Sequence, residues 1–245
     1  MNTTPTSSQR SVLVSGGSSG IGAAIARAFA AQGCHVVATG VSEAEVTAAR
    51  RQAGQAGIDH RLLDVRDGAA VTALVAGLNR LDVLVNCAGA IRRAGAEHDP
   101  EVFAEILDIN LSGTMRLCAA ARSKLAAQRG CIINTASMLS FFGGGLVPGY
   151  SASKGGVAQL TKSLAIAYAA EGIRVNAVAP GWIATPLTQP LHSDPARSDP
   201  IVARTPLGRW GTPEDVAGPV LFLASPAAQF VTGVILPVDG GYLIA

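Results

Sequence analysis

Seven short apolar runs, rich in β-branched residues, recur along the chain with helix-like stretches between them. They read SVLVS (11–15), HVVAT (35–39), HRLLDV (60–65), LDVLVNCAG (81–89), GCIINTAS (130–137), IRVNAVAP (173–180) and GVILPVDGG (233–241). Apolar on successive residues instead of alternating ones, they match strands covered on both faces of a parallel sheet. Helices are expected over 21–33, 42–55, 67–79, 100–128, 150–171 and 212–224. Ser42 with Glu45, and Thr212-Pro213-Glu214-Asp215, carry start signals. Strand and helix in alternation imply an α/β fold: one domain with a doubly wound parallel sheet of about seven strands, helices on both faces, in the order 3-2-1-4-5-6-7. A chain of 245 residues suffices for one such domain. The only long irregular piece is 182–211, rich in Pro, Ser and Asp. A loop of that length in a compact domain is usually functional, and we expect a substrate lid.

The first strand runs into VSGGSSGIG (14–22), with four glycines and three serines in nine positions. This is neither G-x-G-x-x-G nor a P-loop, since no Gly-Lys-Ser/Thr closes it. Its place decides its meaning. A helix with Ile21, Ile25, Ala28 and Phe29 on one face starts there and stops at Gly33. Glycines at a helix N-terminus expose N–H groups and a positive dipole end to an anion. The alternatives are a nucleotide cradle and an ordinary tight turn.

Composition narrows the partners. Only 15% of residues are charged and the net charge is +2, which gives no reason to expect nucleic acid or an acidic membrane. Cys34, Cys87, Cys118 and Cys131 lie in apolar runs without metal-site spacing, and we expect reduced core residues in a cytosolic protein, with no metal. The polar residues 1–10 are expected to be a loose tail and no signal peptide, and no apolar stretch approaches a membrane span.

Several polar residues fall at strand ends, where ligands of such sheets bind. Asp64 ends the third strand, Asn86 to Gly89 the fourth, and Ser137 follows the fifth. Tyr150 and Lys154, four apart, share a helix face. Tyrosine titrates near ~10. An adjacent ammonium favours the phenolate, and lowering it by two to three units takes roughly 3–4 kcal/mol. Such a tyrosine can give a proton to a carbonyl oxygen or take one from an alcohol. By itself Tyr-x-x-x-Lys reads more readily as a solvated helix face.

Taken in order, SGGSSGIG, NCAG, Asn110 in LDINLSGT, Ser137, YSASK and APGWIATP resemble the short-chain dehydrogenase/reductase family along essentially the whole chain. Ser15 stands where threonine is common, and Cys87 where asparagine or alanine is usual. The resemblance implies a Rossmann-type fold, with 11–245 as one dinucleotide-binding and catalytic domain. It implies Tyr150 as acid/base and Lys154 as the group that lowers its pKa and holds the nicotinamide ribose. Ser137 would orient the carbonyl, and Asn110 would kink its helix and hold a proton-relaying water. Gly16, Ser18, Ser19, Gly20, Ile21 and Gly22 would surround the phosphates, and Asp64 and Val65 would contact adenine. Asn86, Ala88 and Gly89 would line the adenine ribose and the floor. Pro180, Gly181 and Ile183 would press on the nicotinamide.

The cofactor is expected to be NADP or NAD. The carboxylate that NAD-specific members carry at the end of the second strand is replaced by Gly40, and Ser42 can donate to a 2′-phosphate, so NADP is slightly favoured; neither Lys nor Arg supports it in this loop. AIRRAG, SMLSFFGG and LGRWGTPEDVAGPVLFLAS resemble the 2-deoxygluconate and gluconate dehydrogenases, which implies a sugar-acid substrate. The 3-oxoacyl-(acyl-carrier-protein) reductases are the alternative branch, and a cofactor-binding protein without turnover is a remote one. Arg92 and Arg93 leave the fourth strand beside the nicotinamide, where at most one should face the cleft and grip a carboxylate. His192 in the lid is a further substrate candidate. The C-terminal GVILPVDGGYLIA resembles members that pack across a tetramer axis, implying a homotetramer.

Overall fold

The computed structural model describes residues 9–52 and 58–245. Its strands β1 (Ser11–Ser15), β2 (His35–Gly40), β3 (Ile58–Leu62), β4 (Val83–Asn86), β5 (Cys131–Thr135), β6 (Arg174–Pro180) and β7 (Ile235–Val238) make one sheet. All pair in parallel, in the expected order β3-β2-β1-β4-β5-β6-β7. Residues of one strand alternate between two cores, which explains runs that are apolar throughout. Val12 and Val14 join Ile25 and Phe29 of α1 (Gly20–Ala31) and Val216, Val220 and Leu223 of α9 (Pro213–Ala224). Leu13, between them, turns to the opposite core. There it meets Val71 and Val75 of α3 (Gly68–Ala76), Leu117 and Leu125 of α5 (Gly113–Gln128), and Leu164 of α6 (Pro148–Tyr168). The strand order reverses between β1 and β4, whose ends Ser15 and Asn86 lie side by side, and such a reversal opens a crevice at the carboxyl edge.

Four elements differ from expectation. β3 starts earlier and ends at Leu62, because Asp64 turns the chain by accepting from the Arg66 N–H at 2.9 Å. The helix expected over 100–128 is two, α4 (Pro100–Leu107) and α5, joined by a π-helical turn at Asp108–Ser112. The stretch 182–211 is not irregular. It carries α7 (Gln189–His192) and α8 (Pro195–Arg204), the latter started by Asp194, which accepts from the Ala196 N–H, and by Pro195. The expected tail also ends sooner, since Gln9 Nε2 donates to Gly33 O at 2.7 Å and Arg10 Nη2 to Ala224 O at 2.8 Å. Residues 1–8 of that tail lie outside the described residues, as do 53–55 of the helix expected over 42–55, which is α2 (Glu43–Gln52). Among the described residues, no helix is long and apolar enough to cross a membrane, and no three His, Cys, Asp or Glu side chains gather as a metal set.

Candidate active site

The glycine turn closes tightly onto the end of β4. Gly16 has φ +64°, and a Cβ on it would lie 2.7 Å from Ala88 N. Gly22 is equally confined, 2.2 Å from Gly16 O. α1 then begins at Gly20 behind Ser19, whose side chain makes no capping hydrogen bond to the helix, so the first N–H groups face outward. A cleft of about 310 Å³ leads from there, lined by Gly16, Ser19, Gly40, Asp64, Val65, Ala88 and Gly89. Bare backbone at a helix N-terminus, opening on a cleft of this size, fits the pyrophosphate and adenosine of a dinucleotide.

Three residues expected at this cofactor do other work. Asn86, the last residue of β4, turns beneath the sheet, where its Nδ2 donates to Asn134 Oδ1 at 2.9 Å and reaches Cys118 Sγ at 3.4 Å. Ser18 is buried with its Oγ unpartnered and lying toward Gly40. Ser42 accepts from the Glu45 N–H at 3.2 Å and so starts α2. A Cβ on Gly40 would lie 2.8 Å from Ser18 Oγ and 3.0 Å from Glu45 Oε2, so a side chain there would have to displace the ends of both.

Glu45 is the residue the sequence did not reveal. Its Oε1 accepts from Ser19 Oγ at 2.8 Å and its Oε2 from Val41 N at 3.0 Å, so α2 delivers a carboxylate to the end of β2. Its position three residues after Ser42 was the available signal, read as a helix start. Across the cleft, Asp64 forms a two-pronged pair with Arg66, at 3.0 and 2.7 Å, which holds its carboxyl below the usual range.

The second half of the cleft gathers Ser137, Tyr150, Lys154 and Asn110. Ser137 leaves β5 in extended backbone, and its hydroxyl acts on the Tyr150 phenol, drawing its pKa down. Tyr150 and Lys154 stand on the opening turns of α6, with Lys154 Nζ 5.6 Å from the phenol ring centre and donating to Thr135 O at 2.7 Å. Asn110 sits in the π-turn, as its expected kink requires. Its side chain accepts from Ala90 N at 2.8 Å and donates to Ala90 O at 2.9 Å and Ser153 Oγ at 3.0 Å. Gly89 lies between, where a Cβ would be 3.3 Å from Asn110 Oδ1 and 3.7 Å from Lys154 Nζ. Pro180 ends β6 and Gly181 is pressed against Asp239. Ile183 is buried with its side chain against Gly211, and its carbonyl accepts from Thr188 Oγ1 at 2.6 Å.

The electrostatic balance differs from the simple Tyr–Lys picture. Burial pushes the Tyr150 phenol up. The Ser137 hydroxyl and the Arg93 guanidinium pull it down, and Glu97 pushes it further up. Burial also lowers Lys154 to about 8, so that the lysine expected to act on the phenol is itself strained by desolvation.

Arg92 and Arg93 part company. Arg92 is exposed and pairs with Glu105 at 2.9 Å, beside the adenosine cleft. Arg93 is half-buried, donates to Leu187 O in the segment before α7 at 3.1 Å, and acts on Tyr150 through its charge. His192 is not gathered with them: α7 turns its ring edge-on to Trp210, 5.1 Å away.

This arrangement, a dinucleotide cradle continuous with a Ser-Tyr-Lys-Asn set at the switch point of a parallel sheet, defines an oxidoreductase. The family described as enoyl-(acyl carrier protein) reductase matches residues 16–243. The chain is 43% identical over 241 residues to 2-dehydro-3-deoxy-D-gluconate 5-dehydrogenase of Bacillus subtilis, covering 96% of this chain and 94% of that protein. It is 45% identical to cis-4-hydroxycyclohexanecarboxylate dehydrogenase of Sinomonas cyclohexanicum, with 96% of each covered. The crystal structure of a gluconate 5-dehydrogenase from Burkholderia cenocepacia, in complex with NADP and tartrate, superposes with a TM-score of 0.89 at 36% identity, covering 96% of each chain. The chain belongs to the short-chain dehydrogenase/reductase family and is an NAD(P)-dependent oxidoreductase acting on CH–OH groups.

Proposed function

We propose that the chain interconverts a secondary alcohol and a ketone on a small carboxylate-bearing substrate, a sugar acid, with Arg93 gripping the carboxylate. The observation that carries this is the half-buried Arg93 guanidinium, set between the lid carbonyl of Leu187 and Tyr150. A guanidinium there matches a carboxylate through two parallel hydrogen bonds. The names of the Bacillus and Sinomonas relatives, each acting on a carboxylate, support the same reading.

Tyr150 is the acid/base, and Ser137 shares the substrate oxygen with it. Lys154 holds the nicotinamide ribose, and Asn110 fixes the floor through Ala90. Gly16, Ser19, Gly20, Ile21 and Gly22 take the pyrophosphate; Gly40, Asp64, Val65, Ala88 and Gly89 take the adenosine; Pro180, Gly181 and the Ile183 backbone take the nicotinamide. When bound, NAD(P) supplies or accepts the hydride. Residues 182–211 form the substrate lid. We place the protein in the cytoplasm, on its four free cysteines, and assign it a homotetramer on the apolar surface treated in the Discussion.

The test is a comparison of two neighbours. Arg93→Ala should raise KM for sugar acids by roughly 10- to 100-fold, equivalent to about 1.5–3 kcal/mol, and spare a neutral ketone of similar size. Arg92→Ala should do neither. Equal, small effects of both changes on both substrate types would remove the carboxylate assignment.

A further inference from the structure

Glu97 is 1% exposed, yet its carboxylate touches both parts of the site on which the proposed function depends. It follows the two arginines in a short 3-10 turn, Ala96–His98, after Ala94 and Gly95 have both taken left-handed backbone. Its Oε1 accepts from the Arg92 N–H and its Oε2 from the Tyr150 N–H, each at 2.7 Å. One carboxylate thus bridges the loop that carries Arg93 and the first turn of α6.

The local sequence makes room for this. Pro148 opens α6 without an N–H, so Tyr150 carries one of the remaining orphan donors of the helix end. Gly149 lets the carboxylate in: a Cβ there would already lie 3.4 Å from Glu97 Oε2 and 3.3 Å from Phe103 Cα. A carboxylate taken out of water is costly unless it is paired. Here two N–H groups, the positive end of α6 and the Arg93 guanidinium offset that cost. A solvent-facing Asp or Ser would have capped α6 more cheaply, so the buried bridge serves something beyond helix stability.

We propose that Glu97 is a positioning residue that holds the Arg93 arm and the Tyr150 acid/base in one rigid frame. This rests on the assignment of Tyr150 above. The charge of Glu97 also bears on the phenol. The groups acting on Tyr150 are Arg93 from the loop after β4, Ser137 from the end of β5, Lys154 on α6 and Glu97 itself, while Arg197 of α8 acts on Arg93. Of these, Glu97 opposes the phenolate.

Two variants separate frame from charge. Glu97→Asp keeps the charge but withdraws it by one methylene. It should lower kcat/KM at least 10-fold on the fastest available substrate, with the pH limb of alcohol oxidation in place. Glu97→Gln removes the charge, and should also move that limb to lower pH by ~0.5 unit or more. Ultraviolet phenolate titration, with Tyr150→Phe as the blank, reads the same shift without turnover. Cofactor affinity, followed by fluorescence, should stay within about twofold in both. Wild-type kinetics in Glu97→Asp would overturn the frame, and so would an unmoved limb with unchanged kcat in Glu97→Gln. If either variant fails to fold, the other decides. Should Tyr150→Phe stay active, the acid/base assignment itself fails, whatever the Glu97 variants do. An inactive Tyr150→Phe beside unaffected Glu97 variants would fail this inference alone.

Discussion

Tyr150 and Lys154 are both pushed toward their neutral forms by burial, and the charges that modulate the phenol come from Arg93 and Glu97, residues far from the Tyr-x-x-x-Lys motif. The same division holds at the other end of the cleft. The expected carboxylate is missing from β2, but Glu45 brings one from α2 to the Ser19 hydroxyl and the Val41 N–H. An acidic group at this point accepts from ribose hydroxyls and repels a 2′-phosphate. Glu45→Gln should therefore raise the affinity for NADP relative to NAD by about tenfold or more, read as the ratio of two dissociation constants from fluorescence titration. A ratio that stays put would show that Glu45 swings clear of both cofactors. Gly40→Asp reads the same point less cleanly, since its side chain would displace those of Ser18 and Glu45.

Among the elements, the π-turn at Asp108–Ser112 is where the site and the scaffold meet. Asn110 clamps both backbone groups of Ala90, and Ala90 borders Gly89 at the floor of the cleft. Asn110→Ala should leave the part-buried N–H and C=O of Ala90 without this partner at a cost of about 1 kcal/mol, seen as a lowered Tm, and should lower kcat through the loosened floor. A normal Tm with normal kcat would mean that the turn is held by other contacts. The seven strands and their order were legible because the apolar runs are long enough to span a buried sheet. The interruption at 108–112 was not legible as a boundary, because apolar residues continue through it. α7 and α8 were missed for a related reason: their many Pro, Ser and Asp residues suggest a loop, though Asp194-Pro195 is a helix start. The place of Glu45 was not legible because its spacing from Ser42 reads as a helix start, and that of Glu97 because a lone acid near a helix start looks like surface charge until a neighbouring element closes over it.

At the scale of the whole molecule, exposed apolar side chains among the described residues include two groups. One is on the outer helices α5 and α6, at Met115 and Ile166, the latter 81% exposed. The other is at the β7 edge, at Phe222, Phe230 and Ile244. The tetramer proposed above requires each of these patches to pair with its own copy, since two self-complementary faces on one chain close a four-chain assembly. Light scattering should give a mass of four chains, and Ile166→Glu should reduce it to two; a monomeric wild type would sink the assignment. The layers behind those faces are joined through the rod that runs from Pro100 to Gln128. Its α4 half packs on α6, while its α5 half packs on α3 and on β4 and β5. A π-turn holds one residue more than an α-turn, and each residue of helix sweeps roughly 100°. The surplus residue therefore acts as slack between the two halves: deleting one position in 108–112 would let the rod close into a continuous α-helix, leaving α5 on the sheet but losing the turn from which Asn110 reaches Ala90.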